Sequence, residues 1–232
     1  MSLTEQLLAT TQPARPMITH YDDAAGTRVE LSVATMANWA AKTANWLVDE
    51  FDVEPGDAVA VQLPAHWQTA AVLLGAWWCG ARVVGETQGS RVAFVAPGAA
   101  SPGAEATAVV ALDPLGRGLS EAPGGGALDY LSEARLSGDV FQPMTPIEGD
   151  ALAFESSTVE AVLSEARARA EQSGITASDR VLSTLDWNVP DGVLAGLLAP
   201  LSVGAHLVQV TGSDAKLADR RRAEKTTVDL LA

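Results

Sequence analysis

Apolar positions along the chain fall into two rhythms, short unbroken runs and stripes at helical spacing. Met17-Ile-Thr-His-Tyr21 and Arg28-Val-Glu-Leu31 flank the loop Asp22-Asp-Ala-Ala-Gly26, which predicts a β-hairpin. Met36, Trp39, Thr43, Trp46, Leu47 and Glu50 recur at helical spacing, and all but Thr43 and Glu50 form an apolar stripe. After the turn signal Pro55-Gly-Asp57, Ala58-Val-Ala-Val-Gln-Leu63 shows little alternation, as a strand covered on both faces requires. The helix predicted from about Trp67 to Cys79 is apolar nearly all round. Such a helix is central in the core or covered by a partner, a second copy or another protein, with Trp77 and Trp78 as the partner-facing residues. Gly80 ends it, and Ala81-Arg-Val-Val84 completes a strand–helix–strand unit with a right-handed crossover.

Only Gly85 to Ser90 separate that strand from the next run, Arg91-Val-Ala-Phe-Val95. A parallel crossover usually takes a dozen residues or more, so these strands pair antiparallel or one lies elsewhere. Ala106 to Leu112 predicts a further strand, and the Gly- and Pro-rich stretch Gly116 to Gly126 an irregular segment. A boundary is predicted around Pro143 to Gly149, after which the pattern restarts. Strands at Ala151–Phe154, Arg180–Leu185, His206–Val210 and Thr227–Leu230 alternate with helices at about Thr158–Gln172, Asp191–Val203 and Asp214–Lys225. This order predicts a second parallel unit. The expected fold class is therefore α/β: two adjacent lobes, residues 1–145 and 146–232, with largely parallel sheets flanked by helices.

Composition narrows the partners. The chain has 232 residues, 47% of them apolar, enough for a sizeable core. Its formal charge is −14, from 15 Lys and Arg against 29 Asp and Glu. Such a surface repels nucleic acid and anionic membrane, and neither is an expected partner. Arg220, Arg221 and Arg222 lie beside Asp219 and Glu224 and read as a solvated helix face. The single cysteine, Cys79, rules out an internal disulfide and fits a cytoplasmic location. The first residues lack a basic start followed by an apolar core, so no signal peptide is expected. The most apolar run, Thr69 to Cys79, is about half of what a bilayer span needs.

Two stretches carry a resemblance. Gly26 to Val84, with its "PGDAVAVQLP" and "LLGAWWCGARVV", resembles the N-terminal part of adenylate-forming enzymes. That superfamily includes acyl-CoA synthetases, firefly luciferase and peptide-synthetase adenylation domains. Ser178 to Val208, "SDRVLSTLDWNVPDGVLAGLLAPLSVGAHLV", is similar to a later segment of the same superfamily. The chain also looks like a small group of bacterial proteins that keep only this N-terminal half. The resemblance implies activation of a carboxylic acid with ATP and Mg²⁺ to an acyl-adenylate, usually followed by transfer to coenzyme A. It also implies two α/β subdomains, a β-barrel and a mobile C-terminal lid.

Adenylation concentrates charge on phosphate and needs backbone N–H groups and cations around it. The superfamily supplies a Ser/Thr/Gly-rich loop ending in Pro-Lys-Gly between the two stretches. Phe154-Glu-Ser-Ser-Thr-Val-Glu160 stands at that position here, with the hydroxyls of Ser156, Ser157 and Thr158 but neither glycine nor lysine. Ser157-x-x-Glu160 reads as a capping box. Glu160 complements the positive helix end and Glu155 adds repulsion, so a capped structural helix is favoured over a phosphate site. The superfamily's adenine motif, ribose-binding Asp and lid lysine would lie beyond Ala232, and its crossover helix after "GARVV" has no counterpart. The expectation is a degenerate, non-catalytic binding module with no catalytic residue, metal or cofactor. The alternative is a partial ligase using ATP and Mg²⁺ and completed by a separate chain.

The remaining pocket candidate is Leu185 to Gly192, between a strand and a helix, where α/β proteins bind ligands. Trp187 could stack on a ligand there, with Asp186, Asn188 and Asp191 beside it; a packed turn with a helix cap is the competing reading. His66 is expected to cap a helix or lie at the surface, and His20 and His206 to be partly buried. Cys79 is expected to be buried and inert.

Overall fold

The runs become strands and the stripes helices in the computed structural model, which describes residues 1–9, 11–212 and 214–232. Helix α1 (Leu3–Ala9) precedes the hairpin β1 (Pro16–Asp22) and β2 (Thr27–Ser32), then α2 (Val33–Phe51), β3 (Ala58–Gln62), α3 (Trp67–Trp78) and β4 (Arg82–Val84). Strands β5 (Val92–Val95), β6 (Ala106–Val109) and β7 (Leu128–Asp129) lead to α4 (Tyr130–Ala134), β8 (Leu152–Phe154), β9 (Ser157–Thr158) and α5 (Val159–Gln172). After β10 (Arg180–Ser183), α6 (Asp191–Val193) runs through a π turn (Leu194–Leu198) into α7 (Ala199–Ser202). β11 (His206–Thr211), α8 (Leu217–Glu224) and β12 (Val228–Leu230) close the chain.

The chain is α/β with two mostly parallel sheets. One has the order β12-β10-β11-β1-β2, antiparallel only at the β1–β2 hairpin; the other runs β7-β6-β5-β3-β4-β8-β9, antiparallel only at β8–β9. The sheets cross the boundary expected at 145/146. Strand β1, from the first lobe, pairs along its length with β11, from Ile18 beside Leu207 to Asp22 beside Thr211. Strand β8, from the second, joins β4. The physical reason lies in β1 itself. Met17 to Tyr21 are buried throughout, and a strand covered in this way needs a neighbour on each edge.

The short link after β4 resolves in favour of the second alternative. β5 lies on the far side of β3 from β4, and both run parallel to β3. A strand of three or four residues is only about 10 Å long, and about 23 Å of extended chain between β4 and β5 recrosses it without a helix.

Helix α3 is covered by its own chain. Residues Trp67 to Trp77 are buried, and Trp77 is 1% exposed, with its indole N–H donating to Ala153 O at 2.9 Å. A partner-facing role for Trp77 therefore gives way to internal packing, and Trp78 packs edge-on against Phe141. Against α2 the approach is so close that a Cβ at Gly75 would stand 2.4 Å from Cβ of Thr43. Only glycine fits there without a shift.

Two helices were not expected, α1 and the short α4. The first has a legible start: Ser2 Oγ accepts from Glu5 N–H at 3.2 Å, and the Glu5 carboxylate accepts from Ser2 N–H at 2.7 Å. That is a capping box spelled Ser-Leu-Thr-Glu. Among the described residues no helix is long and apolar enough to cross a membrane.

Candidate functional site

The carboxyl ends of β3, β4 and β10 converge on a cleft of about 560 Å³. Gln62, Leu63 and Pro64 form one wall, Gly85 and Glu86 the base, and Asp186 to Val189 the other wall. The lining carries two carboxylates, Glu86 and Asp186, and no lysine or arginine.

At its edge lies the corner Glu155 to Thr158. Phe154 pairs with Val83, and Glu155 N–H donates to Val83 O at 2.8 Å. The chain then reverses through Glu155, at φ +49°, into β9. The reversal turns the Glu155 carboxylate back onto β4, where it accepts from Gly85 N–H at 2.9 Å. The carbonyl of Gly85 accepts from the Gln62 amide at 2.8 Å, so both polar groups of this residue are engaged.

The hydroxyls do not converge. The Ser156 and Ser157 side chains are exposed, and their hydroxyls make no hydrogen bond to any described residue. Thr158 caps α5, its Oγ1 accepting from Ala161 N–H at 3.3 Å. The capping box expected at Ser157 and Glu160 is corrected on two counts. The cap is one residue later, because α5 begins only at Val159 and Thr158 is the residue before its first turn. Glu160 does not reach back, because its N–H donates to Gly149 O at 3.0 Å and its carboxylate lies over the Gly149 backbone.

Of the second candidate group, Asp186, Trp187 and Asn188 line the cleft. Asp191 does not: it starts α6 and pairs with Arg169 of α5 at 2.9 Å. Trp187 is 2% exposed and wedged against α6 and the π turn, where a Cβ at Gly196 would come within 2.9 Å of the ring. It packs as part of the cleft wall and is not an open stacking platform. The Val189–Pro190 peptide bond is cis.

Beneath Pro64 lies a buried histidine pair. His66 Nδ1 accepts from Gln68 N–H at 3.1 Å and caps α3, and its ring meets His20 edge-on with centroids 4.4 Å apart. Thr211 Oγ1 donates to Tyr21 O and stands 3.1 Å from His20 Nε2, which makes that nitrogen the protonated one. Burial lowers His20 to about 4 and His66 to about 3; the neighbouring His20 adds to the effect at His66. His206, 2.9 Å from Thr19 Oγ1, is lowered to about 4 by burial and then by Arg180. All three are more buried than the sequence reading expected. Burial also pushes the Cys79 thiol up to about 12, as an inert thiol requires. Among the described residues no cluster of His, Cys, Asp and Glu has the arrangement to hold a metal.

Sequence reasoning missed a charged network on the other sheet. Glu224 of α8 is buried and accepts from Tyr21 Oη at 2.6 Å, Arg28 Nε at 2.8 Å and Arg180 Nη2 at 2.6 Å. Its partners lie far apart in sequence, and no local pattern announces them. The three arginines of α8 are each paired: Arg220 with Asp23, Arg221 with Asp229 and Arg222 with Asp219.

This architecture is that of the N-terminal half of acyl-CoA ligases. A Brucella canis acyl-CoA synthetase aligns with the whole chain at TM-score 0.81 and 18% identity, over 47% of its own length. The anthranilate CoA ligase AuaEII, solved with anthranoyl-AMP, aligns with 99% of the chain at TM-score 0.75 and 16% identity, over 49% of its own length. The N-terminal domain of FACL13 from Mycobacterium tuberculosis gives TM-score 0.70 and 17% identity over 99% of the chain and 62% of that domain. The chain thus spans about half the length of the full ligases it matches. No family model matches it. At the level of sequence, a "TIGR03089 family protein" of Mycobacterium tuberculosis (strain ATCC 25618 / H37Rv) is 46% identical over 227 residues. That alignment covers 93% of this chain and 91% of the relative. The chain belongs to the TIGR03089 family.

Proposed function

We propose that this chain is a non-catalytic derivative of the acyl-CoA ligase N-terminal half, retained as a binding module and working without nucleotide or Mg²⁺. The observation that carries this reading is the Glu155 carboxylate on the Gly85 N–H. A phosphate at the carboxyl edge of β4 would take its hydrogen bonds from backbone donors such as this one, and the protein's own anion already does so. The cleft beside it presents Glu86 and Asp186 without a cation. Bringing a polyphosphate there sets like charges against each other at close range. Ser156 and Ser157 face solvent, so the remnant hydroxyls offer no cradle. Any ligand of the cleft is then a group other than phosphate, held between Asn188, Asp186 and the Trp187 wall. With its one thiol buried and undissociated, the chain suits the cytoplasm.

Isothermal titration with ATP and Mg²⁺, AMP, coenzyme A and an acyl-adenylate analogue tests the reading. Mg²⁺-dependent ATP binding tighter than about 100 μM, about −5.5 kcal/mol, overturns it. One observation favours a second reading, a partial ligase completed by another chain: the fold is kept over about half of a full ligase. Pyrophosphate exchange that appears only on adding cell extract, and is lost in a Ser156/Ser157/Thr158→Ala variant, would support that alternative.

A further inference from the structure

A second groove is remote from the cleft. It measures about 650 Å³ and lies between the end of α2 and residues 141–145, the last part of the irregular segment 135–145. That segment is strapped down from beneath. Lys42 donates to Arg135 O and Ser137 O at 3.1 and 2.8 Å, and Asn45 to Gly138 O and Val140 O at 2.9 and 3.0 Å. Phe141 anchors it against Trp78. Yet three of its large apolar side chains stay in water. Leu136, Val140 and Met144 are 79%, 75% and 101% exposed, and Met144 lines the groove. A held segment that leaves three large apolar side chains in water marks an interaction surface better than a scatter of single residues does.

The other lip of the groove carries Asp49, Asp52 and Glu54 beside Val48 and Val53, and its lining holds no lysine or arginine. Among the described residues Asp49 and Glu54 form no ion pair, and Asp52 meets Arg91 only at 4.0 Å. Lys42, beneath the strap, is committed to Asp139, and Arg135, at the start of the strap, lies outside the groove lining. An apolar floor, exposed apolar side chains and carboxylates without a close cation on one lip define the complement.

We propose that this groove docks a basic amphipathic segment of a partner protein. The segment's apolar side chains cover Phe141, Met144, Val140 and Leu136, and its lysines or arginines meet Asp49, Asp52 and Glu54. A second copy of the chain is the wrong occupant, because each copy brings the same carboxylates and a net charge of −14. The surface is separate from the cleft, so the proposal stands or falls independently of nucleotide binding.

The test is calorimetric titration of the full chain with a synthetic Leu/Lys amphipathic helix and with its Leu/Glu counterpart of identical apolar pattern. Sedimentation of the chain alone runs alongside. The Leu/Lys peptide binds in the micromolar range, about −8 kcal/mol, and the Leu/Glu peptide does not. The V140S/M144S variant weakens binding about tenfold or more, while L115S, equally exposed elsewhere, changes it by less than about twofold. D49N/E54Q weakens it about fivefold, while E121Q/E171Q, with the same change in net charge, does not. All these side chains are at the surface, and matching thermal melts establish that the variants are folded. Equal weakening by L115S or E121Q/E171Q reveals diffuse attraction to an acidic surface and overturns the proposal. So does failure of the Leu/Lys peptide to bind, or a wild-type dimer that V140S/M144S dissociates.

Discussion

Replacing Glu224 by glutamine removes one buried negative charge from among three donors. Its side chain is 4% exposed and ties α8 to β1, β2 and β10 through Tyr21, Arg28 and Arg180. At about 4 Å between charge centres and an effective dielectric constant of about 20, each guanidinium attraction is about 4 kcal/mol. The Arg28 and Arg180 side chains are 43% and 35% exposed, so water screens both. The E224Q variant also escapes the cost of burying the carboxylate. Arg28 keeps Glu30 at 2.6 Å, whereas Arg180 is left without a carboxylate. The net loss expected at pH 7 is about 2–4 kcal/mol, below the full cost of breaking a dry ion pair. In a chain of this size that lowers the melting temperature by about 5–10 °C. Urea unfolding of wild type, E224Q, R180Q and the double variant gives the coupling directly.

The pH dependence supplies the second arm. Burial raises Glu224, but hydrogen bonds from Arg28 and Tyr21 more than offset it and hold the carboxyl below its ordinary 4.5. A depressed carboxyl contributes its stability fully above the unfolded value and loses it as pH falls through the folded value. The gap between wild type and E224Q should therefore narrow below pH 4.5. A loss under about 1 kcal/mol at pH 7, the range of an exposed pair, refutes the reasoning, as does a gap that stays constant into acid.

Three further outcomes follow from the packing. Because His20, His66 and His206 are held to about 4, 3 and 4 against an ordinary 6.5, the unfolded chain takes up protons the folded chain refuses. Stability should fall as pH drops below 6.5, by up to about 4 kcal/mol per pH unit for three sites; urea midpoints at successive pH values should show H66Q with about a third less slope. G75A should cost about 1–3 kcal/mol in thermal unfolding, because its methyl meets Thr43 within 2.4 Å; a neutral result would mean α2 and α3 part easily. At Glu155, alanine loses the acceptor for Gly85 N–H and keeps the left-handed backbone, costing about 1–2 kcal/mol. Glycine loses the same acceptor but relaxes φ +49°, recovering about 1 kcal/mol, so E155G should melt close to wild type and above E155A.

What the sequence made legible was local. The unbroken runs at β3, β5 and β11 are strands buried on both faces, and the stripe from Met36 to Leu47 is the buried side of α2. The corner before α5 was legible as a turn between strand and helix, but its details depend on neighbours the corner does not contain. Thr158 caps in place of Ser157 because α5 starts only at Val159, and Glu155 turns inward because Gly85, 70 residues earlier, offers it an N–H. The true capping box, Ser2 to Glu5, was as readable as the false one. The pairing of β1 with β11 and the partners of Glu224 were beyond reach, because an apolar run states that it needs neighbours but not which ones.

That pairing has a consequence for the birth of the molecule. Strand β1 is made well before its partner β11, for Thr19 meets His206 187 positions later. Until β11 has been made, the β1–β2 hairpin must wait with one edge open. An open apolar edge of this kind is a template for pairing with another nascent chain. The fold is therefore slow to close by its topology. A fragment cut at residue 145 would carry β1 without the strand that completes it, and should be recovered as aggregate and not as an independent lobe.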